Sequence, residues 1–174
     1  MCQVQPPAVR FLEDFPMRIR SWISAPLLVL VAQASALAQP PEGVPGLARG
    51  ASRVVVATVG DVSARWETNE HGDEIIMSNV TLQVEEALKG GPAKLLEMDL
   101  IGGTVGDITL EVSSLPKLAR GERAVFFLEA NPNGKLVPHR RGQGILKLDS
   151  QNRVKGSSVD LSQIREMAAS AGDR

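Results

Sequence analysis

The residues of this sequence best suited to hold a metal ion lie in one short polar segment. His71, Asp73 and Glu74 fall within four positions, and His139 is the only other histidine. A catalytic zinc ion commonly takes three protein ligands, histidine among them, and leaves one position open. A metal-dependent hydrolase that uses His71, Asp73 and His139 is therefore one alternative. Because His139 is far away in sequence, a solvated polar hairpin is the favoured interpretation, with no metal and no cofactor.

The other sequence features that could indicate catalysis do not predict an active site. The sequence has no Gly-x-Ser-x-Gly nucleophile motif, and its single cysteine is Cys2. Adjacent carboxylates such as Glu85 and Glu86 would point to opposite faces of a strand and could not act together. The glycine-rich run Gly102–Asp107 lacks the Gly-Lys-Ser/Thr ending of a phosphate-binding loop. We interpret that run as a β-corner and expect a protein that is not an enzyme.

A basic cluster at His139–Arg141 raises the question of nucleic acid. Single-stranded nucleic acids are bound in basic grooves that also carry stacking aromatic side chains. From residue 39 onward the aromatic residues are Trp66 and the pair Phe126–Phe127, which the core needs. The same part of the chain has 16 basic and 18 acidic residues. We therefore expect no nucleic-acid partner, and His139–Arg141 is either a solvated turn or a protein-contact patch.

Residues 1–38 have the pattern of an over-long start followed by a secretory signal peptide. Translation begins at Met1 or Met17, and the basic segment Met17–Arg20 precedes the apolar run Trp22–Ala32. The tripeptide Ala36–Ala38 then supplies an A-x-A cleavage site. The apolar run is too short for a relaxed membrane span. We predict export to the periplasm or the extracellular space, with no stable membrane anchor after cleavage.

Cleavage after Ala38 would leave 136 of the 174 residues, a length that suits one domain with a packed core. That part has no cysteine, so disulfides cannot stabilise it. Residues 39–50 are rich in proline and glycine and predict a flexible leader. The single β-barrel domain is expected over residues 51–170, followed by a frayed tail at 171–174.

Period-two alternation of apolar residues predicts the central strands, because successive side chains of a strand point to opposite faces. The segment Val80–Val112 contains three such runs, separated by glycine-rich turns: Val80, Leu82 and Val84; Leu96, Met98 and Leu100; Ile108, Leu110 and Val112. We expect these runs to form a meander with one buried face.

The remaining elements follow from local signals. The β-branched run Val54–Val59 predicts a strand that bends at Gly60. The apolar run Arg123–Glu129 does not alternate, which predicts a strand covered on both faces. Asn131–Gly134 is a hairpin signal. Asp160, with Gln163 three residues later, predicts the capped start of a C-terminal helix.

These elements resemble a known group. The residues that carry the resemblance are Val54–Gly60, Val80–Val84 with Ala87–Gly90, Gly102–Gly103, Gly121–Glu122 before Phe126–Leu128, and Gly142–Gly144 before Ile145. The pattern is similar to small uncharacterised secreted bacterial proteins, which in turn resemble OB-fold barrels of the netrin and tissue-inhibitor-of-metalloproteinase type. The resemblance covers roughly residues 52–148 and implies the fold. The eukaryotic inhibitors chelate zinc through an N-terminal cysteine, a position where this chain would have Gln39.

The sequence thus predicts an all-β fold: a small, OB-like, partly open antiparallel barrel with one C-terminal helix. The favoured function is a secreted non-catalytic binding module with a protein partner, and a secreted protease is the candidate partner. Besides the hydrolase, a purely structural envelope component is an alternative. Loops on a rigid scaffold carry most recognition, and Trp and Arg lead interface hot spots. The candidate contact residues are Trp66, Gly103, Thr104, His139, Arg140 and Arg141.

The signal-peptide interpretation predicts the start of the exported protein. Expression from the native start should yield an exported chain that begins at Gln39, because the A-x-A site directs cleavage after Ala38. N-terminal sequencing of the protein recovered outside the inner membrane checks this. An intact Met1 or Met17 terminus in the membrane fraction would contradict it.

Overall fold

The structure, a computed structural model, describes residues 43–69 and 71–172. The predicted signal peptide and residues 39–42 lie outside the described residues. Those described form eight β-strands, two α-helices and one short 3₁₀ helix, Arg141–Gly144. In chain order the others are α1 (Val44–Gly50), β1 (Arg53–Thr68), β2 (Glu74–Lys89), β3 (Leu95–Ile101), β4 (Gly103–Val105), β5 (Ile108–Leu110), β6 (Arg123–Ala130), β7 (Leu136–Pro138), β8 (Ile145–Lys147) and α2 (Leu161–Gly172). Neither α-helix of these ranges is long and apolar enough to cross a membrane.

Six strands form one sheet in the order β1-β2-β3-β7-β6-β8. Strand β1 pairs with β6 as well as with β2, so five of these strands close into a ring and β8 is attached to β6. All the pairings of this sheet are antiparallel except β3–β7, which consists of the parallel pair Met98 and Leu136. The β3–β7 junction, with one residue pair, is therefore the shortest in the ring, and the β6–β7 ladder, with three pairs, is the next shortest.

Strands β1 and β6 separate two apolar clusters. Inside the ring, Val55 and Phe126 pack in a cluster with residues of β2 and β3. On the other side of the same two strands, Val54 and Phe127 pack with residues of α1 and α2. Phe126 and Phe127 are both fully buried, which confirms the prediction that β6 is covered on both faces. Both faces are buried because the ring interior lies on one side and the helices on the other.

In place of the flexible leader predicted for residues 39–50, Val44–Gly50 forms α1. The proline at its start fits the first turn, since that position needs no amide hydrogen. Leu47 and Ala48 are buried in the cluster shared with α2. The ammonium group of Lys89 donates hydrogen bonds of 2.8 Å to the carbonyl oxygens of Ala48 and Ala51. Tertiary packing and this lysine stabilise a helix too short to form alone.

The capped C-terminal helix is confirmed. The backbone amide of Gln163 donates to the Asp160 carboxylate, and the Gln163 side chain accepts from the Asp160 amide, at 2.9 and 3.0 Å. Helix α2 continues to Gly172 and Ala171 packs against the core, so the frayed tail predicted at 171–174 does not begin at residue 171. Residues 173 and 174 lie outside the described part of the chain.

The predicted meander is correct for its first two runs and wrong for the third. Strands β2 and β3 pair from Met77 to Gln83 as the alternation requires. Residues Ile108–Leu110, however, pair with Gly103–Val105 in a separate two-stranded sheet. The chain reverses at Gly106 and Asp107, between β4 and β5. Gly103 is the first residue of β4, and Gly102 directly precedes it. The fold is mostly β but, with two α-helices, not strictly all-β.

Burial on both faces of β6 makes a prediction about stability. Phe126→Ala and Phe127→Ala should each lower the free energy of unfolding by roughly 3–5 kcal/mol, because each leaves a cavity in a different cluster. Denaturant unfolding of the two variants measures this. Leu95→Ala, at a side chain 57% exposed, is the control and should change it by less than about 0.5 kcal/mol. Parent-like unfolding of both phenylalanine variants would contradict the assignment.

Candidate binding surface

The β1–β2 ribbon positions the candidate surface. Strand β6 pairs with β1 only from Arg53 to Thr58, but β2 follows β1 as far as Thr68. The register between β1 and β2 shifts between Val59 and Val62, so the predicted irregularity at Gly60 is confirmed as a bulge. Beyond it, one face of the ribbon is shared by Val62, Ala64 and Trp66 of β1 and Val80, Ser78 and Ile76 of β2.

The β4–β5 hairpin packs on this face through two glycines. The Ser78 hydroxyl donates a hydrogen bond of 2.6 Å to the Gly102 carbonyl oxygen, and the Gly102 amide donates one of 2.8 Å to Ile76. Gly103 has φ +132°, and a Cβ there would collide with the Ser78 hydroxyl and lie 2.9 Å from the Cβ of Ala64. The glycines thus allow the close approach that the hairpin requires.

A cleft of about 480 Å³ lies between this hairpin, the segment 111–118 and the ring. Its volume is within the range of natural ligand sites, about 300–1,000 Å³. Apolar side chains dominate the lining, among them Val62, Val80, Leu100, Leu110, Leu115 and Leu118. Thr104 and Thr109 add hydroxyl groups, which contact each other at 2.9 Å. The cleft can accommodate small apolar groups and has few polar groups to orient them.

Exposed apolar side chains surround the cleft. Val62 and Ile101 line it and are each 42% exposed, and Ile108 of β5 is 57% exposed. Trp66 is 44% exposed and lies on the ribbon face that carries the hairpin, outside the cleft lining. An apolar surface of this kind is typical of a contact site.

The structure divides the predicted contact residues into two groups. Trp66, Gly103 and Thr104 belong to the ribbon and its hairpin, whereas the segment after His139 packs against β6, β7 and β8. The His139 segment reaches the cleft only through an intervening loop. Gly142 lies against Ser114 and Pro116, and the loop that contains these two residues lines the cleft. The ribbon group and the His139 segment are therefore two separate candidate surfaces.

His139 is mostly buried, unlike the surface residue that was predicted. Its side chain is 13% exposed, and Nδ1 lies 2.7 Å from the Glu129 carboxylate. A Cβ at Gly50 would collide with the imidazole ring, so His139 packs against the end of α1. Arg140 and Arg141 are exposed and both have left-handed backbone conformations, with φ of 52° and 58°. Of the three predicted contact residues in this segment, the two arginines are therefore the exposed ones.

A network of charges that the sequence did not predict lies on the opposite face of the ribbon. Asp99 is only 4% exposed and receives a hydrogen bond of 3.0 Å from the Asn79 amide. The Lys135 ammonium lies 2.9 Å from Asp99 and 3.1 Å from Glu67. Arg65 lies 3.0 Å from Glu67 and 3.7 Å from Asp99. This network joins β3 to the start of β7, where the ring is closed by a single residue pair.

Asp99 is held in its charged form. Burial raises its pKa, but hydrogen bonds from Lys135 and Asn79 and the charges of Lys135 and Arg65 outweigh burial and lower the pKa below the usual value. The same hydrogen bonds to Asp99 and Glu67 raise the pKa of Lys135. A carboxylate in this state is a poor proton donor or base near neutral pH. The network therefore suits ring closure better than catalysis.

The residues considered for a metal do not converge in the part of the chain that the structure describes. His71 and Asp73 lie in the β1–β2 loop, where their amides donate to the Asn69 side-chain oxygen, at 2.9 Å each. The His139 imidazole instead forms a hydrogen bond with the Glu129 carboxylate. No group of three His, Cys, Asp or Glu side chains among the described residues could hold a metal ion. The Asn69 side chain therefore stabilises this turn by accepting hydrogen bonds from its backbone.

The lowered pKa of Asp99 predicts acid-sensitive stability. The contribution of its charge to the free energy of unfolding is present above the pKa of Asp99 in the unfolded chain, and it is lost as the pH falls through the lower folded value. Asp99→Asn should be less stable than the parent at pH 7, and the difference should shrink below about pH 4. Denaturant unfolding at several pH values measures this. Glu111→Gln, an exposed control, should show little difference. A constant difference for Asp99→Asn down to about pH 2 would contradict the assignment.

The sequence matches no protein-family model and no curated protein.

Proposed function

We propose that this chain is an exported, non-catalytic binding module that holds a protein partner at the cleft end of its ribbon. The observation that carries the proposal is the exposed apolar surface formed by the cleft and by Trp66 on the adjoining ribbon face. Tryptophan is among the residues most enriched in interface hot spots. Scattered apolar residues are common on surfaces, but here several are gathered around one concave site.

The fold assigned in this proposal is an OB-like, partly open barrel. It is supported by the closed five-strand order, by the double pairing of the bent strand β1, and by the short parallel β3–β7 junction. The resemblance to netrin and tissue-inhibitor-of-metalloproteinase barrels belongs to the same proposal, and it makes a secreted protease the first partner to test. Because Gln39 offers no thiol for a catalytic zinc ion, contact would use the apolar surface instead.

The state of the carboxylates supports a non-catalytic role. Asp99 is ionised within its network. Burial raises the pKa of Glu122, but hydrogen bonds from Lys147 and from the Ala119 amide and the nearby lysine charges lower it overall. General acids and bases generally have pKa values shifted toward the working pH, and these two are shifted away from it.

The proposal predicts which variant loses the partner. The exported chain, tagged at its C-terminus, should capture a protein from the secreted fraction of its source organism. Trp66→Ala should stay folded and capture at least about tenfold less, because truncating a hot spot commonly costs 2 kcal/mol or more. Quantitative mass spectrometry of the captured material measures this.

Two further variants control the experiment. Leu95→Ala removes a more exposed apolar side chain that does not line the cleft and should keep the partner. The Arg140→Ala, Arg141→Ala double variant tests the second surface and should also keep it. Full capture by folded Trp66→Ala would contradict the proposal, and loss in the double variant alone would assign the contact to the 3₁₀ segment.

A further inference from the structure

Strand β5 has an open edge beside the cleft. Among the strands that the structure describes, β5 pairs with β4 alone, in a two-stranded sheet. The register places Val105 opposite Ile108, Thr104 opposite Thr109, and Gly103 opposite Leu110. An edge strand offers unpaired amide and carbonyl groups to any extended chain that approaches it. Natural edges are commonly protected by charges or proline, and Ile108–Leu110 has neither.

The turn geometry determines which backbone groups face outward. Gly106 has φ +60° and Asp107 has no positive φ, the combination of a type II′ two-residue turn. Such a turn is closed by a hydrogen-bonded pair, here Val105 and Ile108. Hydrogen-bonded and non-hydrogen-bonded pairs alternate along an antiparallel ladder. Thr104 and Thr109 therefore form a non-hydrogen-bonded pair, and the amide and carbonyl of Thr109 point away from β4.

The cleft provides a pocket next to this edge. Thr109 and Leu110 are themselves part of its lining, together with Val62 and Leu100. Thr109 has no backbone hydrogen-bond partner in the described loops and turns. An unpaired edge and an apolar pocket together provide the two parts of peptide recognition by strand addition: main-chain hydrogen bonds for affinity and a side-chain pocket for specificity.

We propose that the edge of β5 binds an extended peptide segment of the partner, which adds a strand to the β4–β5 hairpin and places an apolar side chain in the cleft. This inference rests on the proposed function and specifies the chemistry of its partner. Two ion pairs lie nearby: Lys117 is 2.5 Å from Glu111, and Arg120 is 3.1 Å from Asp61. Because the side chains that line the cleft are mainly apolar, the preferred segment has an uncharged, apolar residue at the position that enters it.

A substitution pair isolates the outward amide. Thr109→Pro removes the amide hydrogen that faces the added strand and leaves the ladder bonds to β4 intact, as proline is tolerated on edge strands. Thr109→Ala loses the same hydroxyl and keeps the amide. Peptides of about ten residues, displayed on phage as a random library, are selected against the full exported chain, and one selected peptide is synthesised. The Kd of this peptide for Thr109→Pro should be at least about tenfold higher than its Kd for Thr109→Ala, the matched variant that differs in keeping the amide hydrogen.

A scan of the synthetic peptide tests the pairing without any variant of the protein. N-methylation at every second residue of the peptide should abolish binding, and N-methylation at the residues between should be tolerated, because only alternate amides of an added strand face the edge. This scan decides the matter if Thr109→Pro fails to fold. No selected peptide, an unchanged Kd for folded Thr109→Pro, or a scan without this alternation would overturn the inference.

The capture experiment separates this inference from the proposed function. If the wild-type chain captures a partner and folded Thr109→Pro captures it equally well, strand addition is overturned and the binding module stands. If the wild-type chain captures no partner, both the strand-addition inference and the proposed function are contradicted. Sedimentation equilibrium of the chain alone tests a second copy as the occupant: a dimer that Thr109→Pro abolishes would overturn the peptide assignment.

Discussion

The structure depends on β6 and the first part of β1, Arg53–Thr58, being covered on both faces and paired on both edges. Their shared ladder runs from Arg53 to Thr58, and their side chains alternate between the ring interior and the layer under the two helices. A strand without alternation can be stable only in such a place, because neither of its faces can be exposed to water. Both apolar clusters therefore form around the same pair of strands, and the helices are as necessary as the ring.

Closing the ring creates the second constraint. The β3–β7 junction has one residue pair, so backbone bonds contribute little there. The charged network of Asp99, Lys135 and Glu67 lies at this junction and holds it through side chains. Removing Lys135 would leave the buried Asp99 carboxylate with less compensation for its charge, which is costly. The polar interaction thus determines where the ring closes.

The candidate surface is a consequence of the bulge in β1. Beyond the shift between Val59 and Val62, β1 no longer pairs with β6, and Val62 and Trp66 on one face of the ribbon are partly exposed. The β4–β5 hairpin covers part of that face through Gly102 and Gly103, and the uncovered remainder is the apolar cleft. The proposed binding would therefore use regular elements of the fold, and an edge strand held on such elements already has the extended conformation that an added strand requires.

The sequence by itself determined what depends on near neighbours. The alternation of β2 and β3, the buried pair Phe126–Phe127, the bulge near Gly60 and the cap at Asp160 follow from local patterns, because propensity and side-chain direction act over a few residues. The tertiary structure alone decided the rest: α1 within the supposed leader, the hairpin separate from the sheet, and the burial of His139 and Asp99. Each of these requires a partner distant in the chain, such as Lys89 for α1 or Lys135 for Asp99, and local patterns do not encode such pairings.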